Sequence, residues 1–382
     1  MDATKSNETS GDIATPGTPA HAWLQLACAK LSPRKITKLL DAFACPLQIV
    51  DACQEGYPAL GKLQKQLQVG EPVVEKALEW AQAGNNHLLI RTSTLYPPLL
   101  TEIADPPPVL FVKGSQEVLS KHQLAIVGSR KATHPALQIT RRWAHQLSGD
   151  DLLITSGLAY GVDAEAHRGC LQAAGKSIAV IATGPDICYP ARHQSLAETI
   201  AESGAVVTEF PPGVAPLPRH FPQRNRLISG LSLATLVVEA GSRSGTLVTA
   251  RHALEQNRDV FCMPGSVLNP LAAGCHQLIR DGAQLVSAPE HITSELGLQP
   301  VTTTGNCPDD ALSRNAPDKS TTATQSSPAD SALQPIGFDP FTPDSLCEIL
   351  GSDIQATMLK LQELELNGAV ISLGDGRYQR CR

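Results

Sequence analysis

The chain is 382 residues long, 42% hydrophobic and 18% charged, with a formal charge of -6. That length predicts two or three domains, and the acid excess excludes a wholly basic, histone-like nucleic-acid binder while leaving room for a local basic groove. The ten Cys include no C-x-x-C pair and several lie inside apolar runs, which argues against a zinc site and for a reducing compartment.

Residues 1–20 are small, polar and punctuated by Pro and Gly, the composition of a disordered tail. They contain no apolar signal core, and no run of about 18 apolar residues follows. A cytoplasmic protein without membrane contact is expected. Between 21 and 84, Trp23, Leu24, Leu26, Leu31, Ile36, Leu39, Leu40 and Phe43 recur at mostly helical spacing, with breaks at Pro33, Pro46, Gly56 to Pro58 and Gly70 to Pro72. A small helical module of the SAM or helix-hairpin-helix-like kind is expected, used more often for packing or protein contact than for DNA. Residues 85–122 read as a Pro-rich connecting segment, since Thr94 to Gly114 carries too many prolines for a helix or a central strand.

From 123 to 298, short apolar runs alternate with amphipathic stretches. The runs are Leu124 to Val127, Leu152 to Thr155, Ser177 to Ala182, Ala205 to Glu209, Ala234 to Glu239, Asp259 to Met263 and Gln284 to Val286. Helices are expected over Ala136 to Leu147, Val162 to Ala174, Gln194 to Ser203 and Thr246 to Gln256. Near-continuous apolar strands joined by helices predict an α/β fold: an extended, Rossmann-like, doubly wound and mostly parallel sheet covered on both faces. Ligands on such sheets sit beyond the carboxyl ends of the strands.

Residues 299–335, rich in Thr, Ser, Ala, Asp and Pro, read as a flexible linker. Residues 336–382 then predict helices at Pro343 to Leu350 and Asp353 to Leu366 and a hairpin turning at Gly374-Asp375-Gly376, which together suggest a winged helix. Its second helix carries Gln362, Glu363 and Glu365 where a DNA-recognition helix needs Arg or Lys, so protein contact or packing on the main domain is the expected use.

Polar chemistry gathers at the expected strand ends. The stretch Pro218 to Ser232, PRHFPQRNRLISGLS, sets Arg219, Arg224 and Arg226 around Phe221, and from Glu209 to Arg258 there are six Arg and no Lys. Clustered guanidinium groups set against an acidic whole suggest a phosphate-bearing or planar anion, which the guanidinium fork binds bidentately and on which it stacks. Gly128-Ser129-Arg130 closes the first strand with a turn that lets the backbone approach a ligand. Gly157 and Gly161 flank the strand-to-helix turn of SGLAYGVDAEAH, Ser156 to His167, whose N–H groups can hold an anion. Asp163 there favours the helix dipole, and His167 reads as a capped, satisfied histidine rather than an acid/base catalyst.

In ATGPDICYPARH, Ala182 to His193, Tyr189 offers a ring and Arg192 a charge, a pairing that suits a stacked base or a phosphate and equally an ordinary packed loop. Gly241-Ser242-Arg243-Ser244-Gly245, followed by a helix opening at Thr246, makes a phosphate cradle, and the absence of a Walker Lys excludes a P-loop ATPase. No metal-binding motif, no G-x-S-x-G and no carboxylates paired by spacing occur. Glu239, at a strand end, is the only candidate acid catalyst, so no enzyme activity, metal or cofactor is expected.

Taken together, VGSR at Val127 to Arg130, SGLAYGVDAEAH, PDICYPARH, FPQRNRLISGLS at Phe221 to Ser232, VVEAGSRSGTLVTARHALEQNRDVFCMPG at Val237 to Gly265 and LIRDGA at Leu278 to Ala283 resemble, in the same order, the DNA-processing family DprA, also called Smf. The resemblance implies a non-enzymatic, dimeric single-stranded DNA binder of natural transformation that protects incoming strands and helps load RecA recombinase on them. It implies a basic pocket at Arg130 with Arg224 and Arg226 as neighbours. The strand-end loops complete the expected DNA-binding set with Gly128, Ser129, Gly157, Gly161, Arg192, Arg219, Asn225, Arg243, Ser244, Gly245 and Thr246, and with Phe221 as a base-stacking candidate. Two other readings stand beside it: a nucleotide-processing (N-glycosidic hydrolase-like) or nucleotide-sensing protein, on the strength of Glu239 to Thr246, and a scaffold that bridges RecA-like partners through its terminal domains.

Overall fold

The computed structural model describes residues 15–29, 31–149, 151–298, 340–366, 369–373 and 376–380. Most of the disordered tail expected at 1–20, all of the linker expected at 299–335 and the turn residues 374–375 lie outside the described residues. Pro19 already opens a helix inside the span expected as tail.

Four helices lead the chain: α1 (Pro19–Cys28), α2 (Pro33–Ala42), α3 (Pro46–Gln54) and α4 (Gly61–Ala81). Each of the first three starts on a proline, where the missing N–H has no intrahelical partner to lose. Thr18 and Ser32 cap the first two by accepting the backbone N–H of His21 and Lys35. The break expected at Gly70 to Pro72 does not occur, and α4 runs through Pro72. Leu63, Leu67, Val74 and Ala77 form one buried face on either side of that proline, and their burial offsets the lost backbone bond.

The main sheet has nine strands: β1 (Asn86–Ile90), β2 (Val109–Gly114), β3 (Gln123–Val127), β4 (Leu153–Ser156), β5 (Ser177–Val180), β6 (Ala205–Thr208), β7 (Ala234–Val237), β8 (Asp259–Cys262) and β9 (Gln284–Leu285). Their order is β1-β2-β6-β5-β4-β3-β7-β8-β9. The seven apolar runs read from the sequence are β3 to β9, all paired in parallel. Segment 85–122 is not merely a connection: β1 and β2 form an antiparallel hairpin that extends the sheet beyond β6. Its prolines fall between the strands, two of them around the short helix α5 (Pro98–Thr101) and three just before Val109, so no ladder N–H is missing.

Helices α6 (His134–Leu147), α7 (Val162–Gln172), α8 (Gln194–Ser203), α9 (His220–Gly230), α10 (Thr246–Glu255), α11 (Ala273–Arg280) and α12 (Pro289–Glu295) cover the two faces. Successive strand residues feed opposite cores. Ala125 and Val127 pack with Leu227, Ile228 and Ala250, while Leu124 and Ile126 pack with Trp143, Val162 and Ala166. The amino-terminal helices share a third core with Leu88, Ile90, Val109 and Phe111 of the hairpin, and Trp80 meets Phe111 edge-on at 5.8 Å.

The carboxyl-terminal residues build a separate core of Leu346, Leu361, Leu364 and Val370 from α13 (Pro343–Leu350), α14 (Ile354–Leu366) and the antiparallel pair β10 (Val370–Ser372) and β11 (Tyr378–Arg380). This is a winged helix, opened by a capping box between Thr342 and Ser345. No helix among the described residues is long and apolar enough to cross a membrane.

Candidate nucleic-acid interface

The chain runs from β3 outward through β4, β5 and β6, then returns to place β7 on the other side of β3. Loops leaving the carboxyl ends of β3 and β7 therefore diverge, and a crevice opens between them, where open α/β sheets bind ligands. A cleft of about 430 Å³ occupies that place, with Gly128, Ser129, Arg130, Phe221, Arg224, Asn225, Ser244, Gly245 and Thr246 among its lining residues. Three separate stretches expected to bind an anion meet there.

The walls are cross-tied by backbone. Ser129 N–H donates to the carbonyl of Glu239 at 2.7 Å, joining the loop after β3 to that after β7. Asn225 Nδ2 donates to the carbonyl of Gly245 at 3.4 Å, and Thr246 N–H donates to Ser244 Oγ at 3.2 Å. Gly161 has φ 76°, and a Cβ there would stand 2.3 Å from the carbonyl oxygen of Ser129, so the turn into α7 needs glycine on both counts.

Arg224 is 3% exposed, and its Nε and Nη1 have no hydrogen-bond partner among the described residues. Burial pulls its pKa down to about 10, with Asp163 opposing the shift and Arg130 adding to it. The group remains a cation at neutral pH. Asp163 beside it is held above the usual carboxylate range by burial, against the pull of Arg224. Gly157 makes room for this pair: a Cβ there would stand 1.6 Å from Arg224 Nη1 and 2.7 Å from Asp163 Oδ2. Arg130 lies over the ring of Phe221, 5.2 Å from its centroid, and the same ring meets Tyr189 edge-on at 5.8 Å.

Four arginines of the expected set do not line the cleft. Arg226 turns away from it, 4% exposed, and pairs through Nη2 with Glu209 and through Nε with Asp105 at 3.5 Å. Arg34 of α2 reaches the same Asp105 oxygen at 3.6 Å, so this network joins the amino-terminal helices to α9. Arg226 Nη1 has no hydrogen-bond partner among the described residues, but the guanidinium is turned into this network and does not line the cleft, so its placement there as a neighbour of Arg130 is corrected. Arg219 lines a different cavity, of about 520 Å³, between the amino-terminal helices and the loop after β6. Arg192 and Arg243 are exposed on the loops after β5 and β7.

Sequence reasoning passed over Lys131, which lines the cleft and follows the Gly-Ser-Arg turn directly, and it gave Asp163 only a helix-dipole role. Glu239, the one acid considered as a catalyst, accepts from Thr133 N–H at 2.8 Å, Thr133 Oγ1 at 2.9 Å and Asn269 Nδ2 at 2.9 Å. It braces the start of α6. His167 is buried with Nδ1 on Ser177 Oγ at 2.7 Å, while Nε2 has no partner among the described residues. No group of three or more His, Cys, Asp or Glu among the described residues could hold a metal ion.

Comparison with known proteins places this architecture. Residues 87–297 match the family described as DNA recombination-mediator protein A, and residues 316–376 match the DprA winged helix domain. Protein Smf of Escherichia coli is 41% identical over 326 residues, 85% of each chain. The DNA processing protein DprA of Streptococcus pneumoniae is 44% identical over 200 residues, 52% of this chain and 71% of that one. Its X-ray structure superposes with a TM-score of 0.64 at 33% identity, covering 76% of this chain and 99% of that one. DNA processing protein A of Helicobacter pylori, whose solved structure concerns its single-stranded DNA binding mode, superposes with a TM-score of 0.51 at 26% identity, covering 55% and 95%. A nine-stranded sheet with its cleft at the β3/β7 switch, a winged helix later in the chain and these matches together show that the chain belongs to the DNA recombination-mediator protein A family, the DNA-processing proteins called DprA or Smf.

Proposed function

We propose that the cleft holds the phosphates of single-stranded DNA, and that the protein, as a cytoplasmic homodimer without enzyme activity, helps load a RecA recombinase on the strand it holds during DNA uptake and natural transformation. The observation that carries the strand-binding part is Arg224, a buried cation whose Nε and Nη1 make no hydrogen bond among the described residues. A buried donor left unpaired costs about 1–3 kcal/mol, more when charged, and an oxyanion entering the cleft removes that cost. Arg130, Lys131 and the start of α10 line the same space and favour the same sign of ligand. The Helicobacter pylori relative supports single-stranded DNA as that ligand. The RecA, dimer and transformation parts rest on family membership.

The nucleotide-hydrolase alternative loses ground because the Glu239 carboxylate is already engaged by Thr133 and Asn269. Fluorescence anisotropy of a labelled oligothymidylate across a salt series tests the proposal. Affinity should fall with a log-log slope of about -0.7 per phosphate contacted, and Arg130→Ala and Arg224→Ala should each make it shallower by about 0.7. Binding that ignores salt, or slopes unchanged in both variants, overturns the cleft as a phosphate site. Release of free base from a mononucleotide overturns the non-enzymatic part.

A further inference from the structure

Helices α6 and α7 both start on the wall of the cleft. Thr133 caps α6 just after cleft-lining Lys131, and the backbone of Gly161, which opens α7, is packed against Ser129 and Arg130. Further along, Gly169 of α7 faces the carbonyl of Arg141 with no room for a Cβ, so the two helices stay side by side. That approach brings three charges together. Arg141 Nε donates to Glu165 Oε2 at 2.6 Å, its Nη2 pairs with the same oxygen, and Arg168 Nη1 donates to Oε1. One carboxylate thus answers two guanidinium groups, the reverse of the ratio at Arg226.

A single ion pair would suffice to tie α6 to α7, so the second arginine calls for another explanation. The Glu165 side chain is 11% exposed, whereas those of Arg141 and Arg168 are 33% and 41% exposed. The carboxylate lies beneath, and the guanidinium groups stay open to solvent. Helix α6 contains no Asp or Glu that could cancel the excess, in a chain with 37 acidic against 31 basic residues. His134 precedes Arg141 by seven residues, which returns it to the same face of α6, about 10 Å nearer the cleft. Burial pulls its pKa below 6.5, with Glu165 opposing the shift and Arg141 adding to it, so at neutral pH the imidazole is an uncharged polar group between the cleft and the two arginines.

We propose that Arg141 and Arg168, held over Glu165, form a second phosphate site, which a single strand reaches from the cleft by passing Lys131 and His134 along the groove between α6 and α7. This rests on the reading of the cleft as a single-strand site. The run from the start of α6 to Arg141 is about 10 Å, or roughly three nucleotides at a stacked rise of about 3.4 Å, so one strand spans both sites. Two guanidinium groups fixed by one buried carboxylate are already ordered, and the donors that Glu165 leaves over match the oxygens of a phosphate.

The test is anisotropy across a salt series, on the full chain, with oligothymidylates of about 4 and about 12 nucleotides, the shorter able to fill only the cleft. The parent's salt slope should be steeper on the longer strand. Arg168→Gln should make the slope on that strand shallower by about 0.7 and weaken binding about threefold, with Arg141 still answering Glu165 so that the fold is kept. Glu165→Gln removes the opposing charge and should tighten binding of the longer strand by about the same factor. A purely structural tie is broken by either substitution and predicts the same sign for both. Weaker binding in both variants, a slope unmoved in Arg168→Gln, or a parent with equal slopes on the two strands overturns the second site. Arg130→Ala measured on the shorter strand reports on the cleft alone, so failure of the second site and failure of the cleft reading are told apart.

Discussion

Arg224 and Arg226 lie two residues apart on α9 and serve opposite sides of it, the first facing the cleft and the second locked to Glu209 and Asp105. Two residues turn about 200° around a helix, so one short motif supplies both a binding group and a structural one. Arg226→Ala would leave the buried Glu209 carboxylate without its cation and should lower unfolding stability by about 3–5 kcal/mol. Arg224→Ala should leave the denaturant midpoint much closer to the parent while weakening oligonucleotide binding. Chemical denaturation and anisotropy on the two variants give the comparison, and equal losses of stability would contradict the division of labour.

Gly157→Ala places a methyl group where the end of the Arg224 side chain now sits. The tip of a long side chain can move aside more easily than backbone can, so the fold should survive and the guanidinium should leave its place. Affinity for single strands should fall about as far as in Arg224→Ala, and combining the two substitutions should add little. An additive double variant would show that Gly157 acts elsewhere.

His167 sets a pH dependence of stability. Burial, with His193 and Arg224 nearby, pulls its pKa from 6.5 to about 3, so the folded protein refuses a proton that the unfolded chain accepts. Its contribution is complete above pH 6.5 and is lost as pH falls toward 3, at up to about 1.4 kcal/mol per pH unit. Asp163 and Glu209 are shifted upward by burial and act with the opposite sign in acid, so the informative quantity is the difference between His167→Gln and the parent. The variant should show the flatter profile between pH 6.5 and 4. Parallel profiles would remove His167 from the account.

The parallel strands were legible in the sequence because each is buried on both faces and reads as a short apolar run between helical patterns. The hairpin β1-β2 was hidden by the prolines that fall between its strands and just before Val109, which are incompatible with a ladder only if they fall inside it. At the site, Gly128 to Arg130, Arg224 and Thr246 could be found from their places at strand and helix ends. The fate of Arg226 could not, because its partners come from distant stretches, although its offset of two from Arg224 already argued that both could not face one ligand. The role of Gly157 was invisible for a similar reason: what fills the space beside a glycine is decided by packing.

The pairing of β2 with β6, Phe111 opposite Thr208, also constrains the order of events during synthesis. About a hundred residues separate the two strands, so on the ribosome the hairpin waits about 5–20 s for its neighbour. One of its two apolar faces does not wait with it, while Leu89, Leu110 and Val112 on the other await the main core. Leu88, Ile90, Val109 and Phe111 are covered by helices that have already emerged, so α1 to α4 shield one apolar face of the hairpin from other nascent chains before the rest of the sheet exists.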